Sequence, residues 1–373
     1  MTRIAQVANF VAPHSGGIRT VLGNLAEGYA ARGVEVVQIV PGRRHSTQAT
    51  RWGTAIAIPG ILIPKTGYRV ITPQSVREAL ERVAPDHLEV HDRATLRGLG
   101  TWARYRSVSA CVISHERLDR LLEQWTGRPT LSRGLADRSN RALADRFETV
   151  VCTTAWAAEE FARIGVTNTV LAPLGVDTDT FTPDRADPRA RAEFAWPEER
   201  LLVLVSRLSP EKRPQLALDT AAELVARGVR VRLVVAGDGP LRSSLEHRAR
   251  ALPVRFVGHL RDATEVAALQ ADADVVLAPG PVETFGLAAL EALAAGTPVV
   301  ADQRSALSEV LGDAGIAAAP TAVAFSDAVQ ALLARPVVER RTAARARALG
   351  YSWDATVETF LTAHGGARSR ADR

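Results

Sequence analysis

The chain has 373 residues, which is long enough for two domains of ordinary size, each with its own core. Its side chains are 46% hydrophobic and 23% charged, as in globular proteins, and no apolar run approaches the roughly 18 residues of a membrane-spanning helix. The first stretch, MTRIAQVANFVAPHSGG, predicts a strand and a loop and not a signal peptide, because Asn9 interrupts its short apolar run. Only Cys111 and Cys152 are present, which excludes a disulfide framework and indicates a reducing, cytoplasmic environment.

Net charge is +5, but it is unevenly distributed. Residues 1–175 hold 22 basic and 15 acidic side chains, a difference of +7, whereas residues 176–373 hold 24 and 26, a difference of −2. The first half is therefore the more suitable surface for an anionic partner. Nucleic acid is not an expected partner, because no helix-turn-helix, zinc-finger or RNA-binding signature accompanies the basic residues.

The two halves of the chain repeat one pattern. The stretch ARGVEVVQIVPG (31–42) returns as ARGVRVRLVVAG (226–237), and each copy follows a strand-like segment, a polar loop and a helix-like segment. Strand, loop, helix, glycine and strand form the βαβ unit, and apolar strands of this kind suit a parallel sheet covered on both faces. Chance similarity between two Ala- and Arg-rich helix ends is the alternative, and the shared order of elements disfavours it.

Further strands alternate with helices in both halves. The first half continues with HLEVHD, SACVISHE, TVVCTT and TVLAPLG, and the second with VRFVGHL, ADVVLAPG and TPVVAD. We predict an α/β fold with two Rossmann-like domains, residues 1–178 and 179–350, facing each other across a cleft that binds ligand beyond the carboxyl ends of the strands. In residues 351–373, WDATVETFLTAH predicts a helix that packs back on the first domain, and GGARSRADR predicts a disordered tail.

In the first domain, the segment after SACVIS carries a histidine and a basic amphipathic pattern. His115 lies at the carboxyl end of the strand, where a histidine commonly does no more than close the strand. Beyond it, HERLDRLLEQWTGR has an apolar stripe with arginines alongside at helical spacing: Leu118, Leu121, Leu122 and Trp125, with Arg117, Arg120 and Arg128. Such a helix either lies on an anionic membrane surface or packs its stripe into the domain, and the sequence leaves both alternatives open.

In the second domain, the loop RLSPEKRP carries a rare residue. The 46 basic residues of the chain include only two lysines, Lys65 and Lys212. Lys212 in this loop therefore indicates a site that requires a compact ammonium group, and Arg207 at the end of the preceding strand can add a bidentate contact to phosphate oxygens. The alternative is an ordinary solvated loop.

The stretch PVETFGLAALEALAAG places two acids eight positions apart. On one helix, eight residues correspond to roughly 12 Å of rise, which disfavours the paired carboxyls of a glycosidase, about 5 to 9.5 Å apart. We therefore place Glu283 in a loop and Glu291 in the helix that follows. The amides of Phe285, Gly286 and Leu287 then form the helix N-terminus, where unpaired N–H groups attract an anion. An acid, an anion site and a second acid match the hexose, diphosphate and ribose of a nucleotide diphosphate sugar.

Several blocks resemble the signature of glycosyltransferase family 4: SRLSPEK, VVAGDGPL, FVGHL, ADVVLAPGPVETFGLAALEALAAGTPVVA, NFVAPHSGGIRT and LAPLGVD. They cover nearly the whole chain and combine an E-x7-E element with R-x4-K. The family consists of retaining enzymes with the two-domain GT-B fold. Within it, the blocks VISHERLDR and LGVDTDTF make the chain most similar to actinobacterial GDP-mannose-dependent α-mannosyltransferases of phosphatidylinositol mannoside and related glycolipid assembly.

The resemblance implies which residues bind the donor sugar nucleotide. They are Gly16, Gly17, Arg207, Lys212, Val257, Leu260, Glu283, Phe285, Gly286, Leu287 and Glu291. In that pattern Arg207 and Lys212 hold the diphosphate, Glu283 holds the hydroxyls of the transferred sugar and Glu291 holds the ribose diol. The loop from Val257 to Leu260 meets the base, mainly through its backbone.

The resemblance also implies the catalytic group and the chemistry. His115, Glu283, Arg207 and Lys212 act in catalysis, with His115 hydrogen-bonding the donor sugar and supporting the charge that develops there. No cofactor is expected, because the cationic pair and the helix dipole replace a metal ion. The D-x-D pairs of the chain, Asp272 with Asp274 and Asp177 with Asp179, are accordingly interpreted as structural.

The expected partners are GDP-mannose, a lipid or glycolipid acceptor and an anionic membrane surface, with the enzyme cytoplasmic and peripheral on the inner face of the cell membrane. Two other functions stay open. One is a glycosyltransferase with a UDP-sugar donor and a small soluble acceptor, and the other is a non-catalytic protein that binds a sugar nucleotide or a lipid.

Overall fold

The computed structural model describes residues 2–11, 16–64 and 67–365, and these form two compact units. The first unit consists of the described residues of Met1–Gly175 and Trp353–Arg373, and the second of Val176–Ser352. The predicted boundaries differ slightly from these, since the sequence placed the change of domain after residue 178 and the start of the C-terminal segment at 351. The predicted tail and Lys65 lie outside the described residues, apart from Gly365.

The first unit is built around one large sheet. Its described residues form the strands β1 (Arg3–Val7), β2 (Glu35–Gly42), β3 (Ser46–Thr50), β4 (Gly53–Pro59), β5 (Ile61–Leu62), β6 (Arg69–Val70), β7 (His87–Val90), β8 (Ser109–Ser114), β9 (Thr149–Cys152) and β10 (Thr169–Leu171). The sheet has the order β10-β9-β8-β7-β1-β2-β4-β3, and its strands are parallel except for the antiparallel hairpin of β3 and β4. A separate small hairpin pairs β5 with β6.

Helices connect these strands and cover the sheet. In the first unit they are α1 (Gly17–Ala31), α2 (Pro73–Val83), α3 (Leu99–Tyr105), α4 (Leu118–Thr126), α5 (Pro129–Ala144) and α6 (Ala155–Ala162). The central strands lie in the interior of the unit, where every residue of β7 and β8 is buried, including the polar residues His87 and Glu89. Parallel strands that alternate with helices are the Rossmann-like arrangement predicted from the sequence.

The second unit repeats this arrangement on a smaller scale. Its elements are α7 (Pro188–Ala192), β11 (Arg200–Val205), α8 (Pro214–Ala226), β12 (Val231–Ala236), α9 (Arg242–Arg248), β13 (Val254–Gly258), α10 (Ala263–Asp272), β14 (Val275–Ala278), α11 (Leu287–Ala294), β15 (Val299–Asp302), α12 (Leu307–Leu311), β16 (Ile316–Ala318), α13 (Ala322–Ala334) and α14 (Val337–Leu349). The strand order is β13-β12-β11-β14-β15-β16, and all neighbouring pairs are parallel. The two copies of the repeated sequence occupy equivalent places, from the end of α1 into β2 and from the end of α8 into β12.

The D-x-D pair Asp272 and Asp274 serves the structure of this unit, and in the other pair the Asp177 carboxylate accepts from the amides of Asp179 and Thr180 at 3.0 Å. The Asp274 carboxylate accepts hydrogen bonds from Arg191 at 2.8 Å and from Arg340 at 3.0 Å, and Asp272 accepts one from the amide of Asp187 at 2.8 Å. Asp272 and Asp274 thus tie α7 and α14 to the end of α10.

After the second unit the chain returns to the first one as α15 (Trp353–Ala363). Val357 and Phe360 are buried there, the Thr356 hydroxyl donates to the Pro173 carbonyl at 2.7 Å, and Glu358 pairs with Arg32 at 2.6 Å. The closest approach is to α1, where a Cβ atom placed on Gly28 would lie 2.4 Å from Val357 Cγ2. A glycine at residue 28 is therefore what lets α15 pack against α1.

We expect Gly28→Ala to destabilise the first unit by about 1–3 kcal/mol, because the added methyl group overlaps the Val357 side chain. Gly23→Ala is the matched control on the same helix: a Cβ there meets nothing within 4 Å, so alanine should stabilise α1 by about 0.5–1 kcal/mol. Thermal unfolding of the two variants measures the difference. A Gly28→Ala protein as stable as the Gly23→Ala protein would contradict the packing of α15 on α1.

Among the described residues, none of the helices combines the length and the apolar character needed to cross a bilayer.

Candidate functional site

The second unit brings the predicted donor residues to the carboxyl ends of its central strands. Arg207 follows β11, and a short turn of 3₁₀-helix, Pro210–Lys212, leads from it into α8. Within this loop, Glu211 accepts hydrogen bonds from Arg207 at 2.7 Å and from the Ser209 hydroxyl at 2.6 Å. The loop is thus held by its own polar side chains, and Arg207 keeps nearly half of its side chain in solvent.

Lys212 and Glu283 form an ion pair, with 2.5 Å between Lys212 Nζ and Glu283 Oε1. The two side chains come from loops after β11 and β14, which are neighbours in the sheet. Each is about a quarter exposed, so a ligand can still reach them. Lys212, the residue predicted to bind the diphosphate, therefore lies directly beside Glu283, the residue predicted to bind the sugar.

The helix after Glu283 begins as the sequence predicted. Gly286 is the residue before α11 and adopts a left-handed conformation, with φ of 79°. A Cβ atom on Gly286 would also lie 2.4 Å from Leu307 Cδ2, so both the backbone angle and the space require glycine. Phe285 is buried and packs edge-on against Tyr351, and this contact anchors the turn that leads into α11. The amides of Leu287 and Ala288, the first two of the helix, have no helical carbonyl before them and can bind an anion, whereas those of Ala289 and Leu290 already donate to the Gly286 carbonyl at 2.9 and 3.2 Å.

Glu291 lies in the second turn of α11 and is partly buried. Desolvation raises the pKa of its carboxyl group to about 7. The group is therefore protonated below neutral pH and ionised above it, and the ionised form is the better acceptor for a diol.

We expect donor affinity to increase as pH rises through 7, because Glu291 then becomes a carboxylate. If only the ionised form binds the ribose, KM for the donor should fall by up to about tenfold between pH 6 and pH 8. Steady-state kinetics of the wild type and of Glu291→Gln measures this. The variant has no ionisable group at residue 291, and a pH dependence of KM that persists in it would exclude Glu291 as the source.

The residues predicted to meet the base lie at the carboxyl end of β13. Val257 is within that strand and Leu260 follows it, and both are partly buried. The Gly258 carbonyl between them accepts a hydrogen bond from the Gly237 amide at 2.7 Å, which ties this end of β13 to the loop after β12.

In the first unit, Gly16 and Gly17 lie at the start of α1, and Thr20 donates its amide to the Gly16 carbonyl at 3.1 Å. Gly17 is the first residue of the helix and Gly16 precedes it, so the two glycines form its N-terminus. The loop residues 12–15 before them lie outside the described residues.

His115 is the first residue after β8 and is partly buried. Its Nε2 atom lies 2.9 Å from Nδ1 of His91, the first residue after β7, and the two rings meet edge to edge with 22° between their planes. Burial first, and the neighbouring His91 second, lower the pKa of His115 to about 3. His115 therefore favours the neutral imidazole at physiological pH, which suits a hydrogen-bonding role better than that of a general acid.

The sequence did not single out His91 or Glu89, the buried acid beneath it. Both belong to HLEVHD, whose apolar pattern predicts only a strand. The usable signal was that two adjacent parallel strands each end in a histidine, because β7 pairs with β8 in the register Val90↔Val112. Residues that follow paired strands lie at one edge of the sheet.

Arg117 does not lie on an exposed basic face. Only 5% of its side chain is exposed, and it bonds Asp119 at 3.0 Å and Glu159 at 2.7 Å while its guanidinium covers the ring of Trp156. The predicted membrane contact by Arg117 is therefore wrong, because its charge is paired inside the first unit.

The rest of α4 combines packing and exposure. Leu118, Leu121 and Leu122 are partly buried, whereas Trp125 is 70% exposed and Arg120 is exposed. Leu131 and Leu135 of α5 are also about half exposed, with Arg128 and Arg133 exposed nearby in the chain. We call this set the α4–α5 surface: Arg120, Trp125, Arg128, Leu131, Arg133 and Leu135.

Within the described residues, one group of side chains has the spacing of a metal site: Glu89, Cys111 and His364, whose ligand atoms lie within 4.8 Å of one another. Glu89 Oε1 already lies 2.9 Å from His364 Nε2 and accepts from the Tyr29 hydroxyl. Burial and the Glu89 charge raise the pKa of the Cys111 thiol well above its usual value. In the free protein these side chains form a hydrogen-bonded cluster around the Glu89 carboxylate.

Comparison with known proteins follows the division into two units. The family model described as Glycosyl transferase 4-like domain matches residues 16–176, and the one described as Glycosyl transferases group 1 matches residues 187–349. A GDP-mannose-dependent alpha-(1-6)-phosphatidylinositol dimannoside mannosyltransferase of Mycobacterium tuberculosis is 48% identical over 366 residues, which cover 97% of this chain and 96% of that protein.

Solved structures with the same fold are more distant in sequence. Sucrose-phosphate synthase from Thermosynechococcus elongatus superposes with a TM-score of 0.78 at 20% identity, covering 97% of this chain and 98% of that one. HepE of Anabaena, solved in complex with UDP and glucose, gives 0.76 at 16% identity, covering 99% and 100%.

Two Rossmann-like units, matched throughout by glycosyltransferases in sequence and in structure, define an enzyme of the GT-B class that transfers a sugar. Near-complete coverage by the mycobacterial relative makes the assignment more specific. The chain belongs to glycosyltransferase family 4.

Proposed function

We propose that this enzyme transfers α-mannose from GDP-mannose, with retention of configuration and without a metal ion, to a phosphatidylinositol mannoside or a related glycolipid. The observation that carries the proposal is the 48% identity, over nearly the whole length of both chains, to a relative named for GDP-mannose and phosphatidylinositol dimannoside. The donor residues predicted from the sequence also lie on neighbouring loops of the second unit, as a single ligand requires.

On the donor side, the cations neutralise the diphosphate. Arg207 and Lys212 are each paired with an acid in the free protein, Glu211 and Glu283, so both are held in place before the ligand arrives. A phosphate that replaces these carboxylates as the partner of Arg207 and Lys212, or binds beside them, gains two charge-assisted contacts. The backbone amides at the N-terminus of α11 add further hydrogen bonds. Together they supply the positive charge that a divalent cation provides in metal-dependent transferases.

In the transfer step, the acceptor hydroxyl oxygen bonds to the anomeric carbon on the face from which the diphosphate leaves. The bond from that carbon to the phosphate oxygen breaks, its electron pair stays on the phosphate, and the acceptor proton passes to the same phosphate group. Arg207 and Lys212 stabilise the departing charge, Glu283 holds the hydroxyls of the sugar, and neutral His115 hydrogen-bonds the sugar without a net charge.

On the acceptor side, we propose that the first unit touches the cytoplasmic face of the membrane through the α4–α5 surface. The exposed indole of Trp125 and the exposed leucines of α5 suit the acyl boundary, and the surrounding arginines suit anionic headgroups. The +7 charge of residues 1–175 has the sign that such a surface requires.

The test is nucleotide release by the purified full-length enzyme over GDP-, UDP- and ADP-sugars, with vesicles that contain or lack phosphatidylinositol dimannoside. We expect GDP release from GDP-mannose only with the lipid acceptor, unchanged by EDTA, and a mannosylated lipid as product. Release of UDP from a UDP-sugar in the presence of a soluble acceptor would show that the enzyme uses these substrates and not GDP-mannose and a lipid. Binding of the donor without nucleotide release would identify a non-catalytic protein. Loss of activity in EDTA would overturn metal independence.

A further inference from the structure

Arg213, the residue after Lys212, has a backbone conformation that residues with side chains rarely adopt. Its φ and ψ angles of 48° and 47° lie in the left-handed region. Among the described residues, only Phe10, Ala84 and Ser107 also have a positive φ without being glycine. A Cβ atom disfavours this region, so such a residue persists only where the surrounding structure holds it. Because Arg213 joins the turn Pro210–Lys212 to α8, its conformation determines where Lys212 lies relative to that helix.

The side chain of Arg213 forms an ion pair with a buried acid. Asp302 ends β15, none of its side chain is exposed, and its Oδ2 atom lies 3.5 Å from Arg213 Nη1. Arg304 binds the same carboxylate with its amide at 3.0 Å and its Nε atom at 2.9 Å. A buried carboxylate requires such partners, because an unpaired charge in the interior is poorly solvated. The Asp302 carboxylate therefore holds the guanidinium end of Arg213 in place.

The chain after Asp302 also reaches the loop that carries Glu283. The hydroxyl and the amide of Ser305 donate to the Asp302 carbonyl at 2.7 and 3.1 Å, which closes a tight turn. The next residue, Ala306, donates its amide to the Glu283 carbonyl at 2.9 Å. Residues 302–306 thus contact Glu283 through the backbone and Arg213 through a side chain. The loops that bring Lys212 and Glu283 within 2.5 Å of each other share this support.

We propose that Asp302 and Arg213 are positioning residues that hold Lys212 beside Glu283. The ion pair keeps Arg213 in its left-handed conformation, this conformation directs Lys212 toward Glu283, and the turn after Asp302 keeps Glu283 where Lys212 meets it. Since glycine would fit the backbone better, the presence of arginine points to a use of its side chain. The contribution to sugar transfer rests on the proposed function, whereas the effect on the pair of Lys212 and Glu283 does not.

NMR can observe that pair directly, because the chain has only two lysines, Lys65 and Lys212. In the full-length protein labelled with carbon-13 at the lysine Cε atoms, the Lys212 signal is assigned by its loss in Lys212→Ala. Without any donor present, we expect Glu283→Gln to shift this signal and Arg213→Asn to shift it in the same direction by at least half as much. A Lys212 signal that either variant leaves unchanged would overturn the proposal, whether or not the protein transfers sugar.

Sugar transfer distinguishes the side chain of Arg213 from its backbone conformation. Asparagine tolerates the left-handed region better than arginine but has no charge, whereas lysine keeps the charge and is as strained as arginine. We expect Arg213→Asn to lower kcat/KM by about fivefold and Arg213→Lys to keep more than half of it. The control is Ala84→Asn, which places asparagine at an exposed left-handed residue after α2 and should match the wild type. An Arg213→Asn enzyme as active as the wild type would overturn the role of the ion pair.

A direct contact of Arg213 with the donor is the alternative, since 35% of its side chain is exposed. If Arg213 acts through Asp302, Asp302→Asn should lower kcat/KM to a similar extent, and combining it with Arg213→Asn should lower it by less than a further twofold. Near-normal kinetics of Asp302→Asn beside a loss in Arg213→Asn would overturn the role of Asp302. Should Asp302→Asn not fold, the Lys212 signal of Arg213→Asn decides, because it is recorded without donor. If the wild type transfers no sugar, the proposed function is wrong, and the Lys212 signal tests the positioning role by itself.

Discussion

Lys212→Ala is expected to lower kcat/KM for sugar transfer by about tenfold or more, through loss of charge stabilisation on the leaving diphosphate. The structure shows a second reason for a loss of transition-state stabilisation, which is the ion pair between Lys212 and Glu283. Glu283 loses its partner at 2.5 Å, so the variant leaves an uncompensated carboxylate beside the phosphate. Both effects act on the charged leaving group, and the steady-state rate of GDP release measures their sum.

The matched control is Arg248→Ala, which removes a cation from another ion pair of the second unit, with Asp219 at 2.6 Å on the exposed faces of α8 and α9. We expect kcat/KM of this variant to stay within about twofold of the wild type. Near-normal kinetics of Lys212→Ala would exclude Lys212 from the donor site, while equal losses in both variants would point to a general effect of charge or folding.

Replacement of the two acids by glutamine should separate binding from catalysis. Glu283→Gln is expected to lower kcat by roughly 10²-fold with a smaller change in donor KM, because it holds the sugar on which charge develops. Glu291→Gln should raise donor KM by about tenfold and leave kcat nearly unchanged, because ribose binding is the same in ground and transition states. Initial rates over a range of donor concentrations distinguish the two.

The opposite pattern, with kcat lost in Glu291→Gln and KM raised in Glu283→Gln, would show that the donor binds along α11 in the opposite orientation. The Glu283→Gln variant also frees Lys212 from its ion pair. A fall in donor KM in that variant would show that the pair competes with the diphosphate in the wild type.

The sequence was most informative where local patterns determine structure. The apolar strands, the repeated βαβ pattern and the glycine before α11 each follow from period, composition or backbone freedom, and the predicted fold and enzyme class are confirmed. The roles of Arg207, Lys212, Glu283 and Glu291 stay predictions, and their positions on neighbouring loops fit one donor molecule.

What the sequence missed depends on contacts between distant segments. Arg117 has the helical spacing of a surface residue, and only the folding of α6 beside it brings Glu159 and Trp156 to its charge. Glu89 alternates with apolar residues in β7 as any strand residue does, and its partner His364 lies 275 positions away. Periodicity reports which face a side chain occupies, and it carries no information about which remote side chain will meet it there.

The return of α15 to the first unit has a consequence for synthesis of the chain. Residues 1–175 leave the ribosome first, but two of their contacts must wait until residues 353–365 have been translated. The face of α1 that carries Gly28 packs against Val357, and the Glu89 carboxylate contacts His364. The contiguous second unit, Val176–Ser352, has its whole sequence available earlier. The N-terminal half is thus begun first and completed last, so a message that ends near codon 350 leaves the N-terminal unit incomplete and the C-terminal one nearly whole.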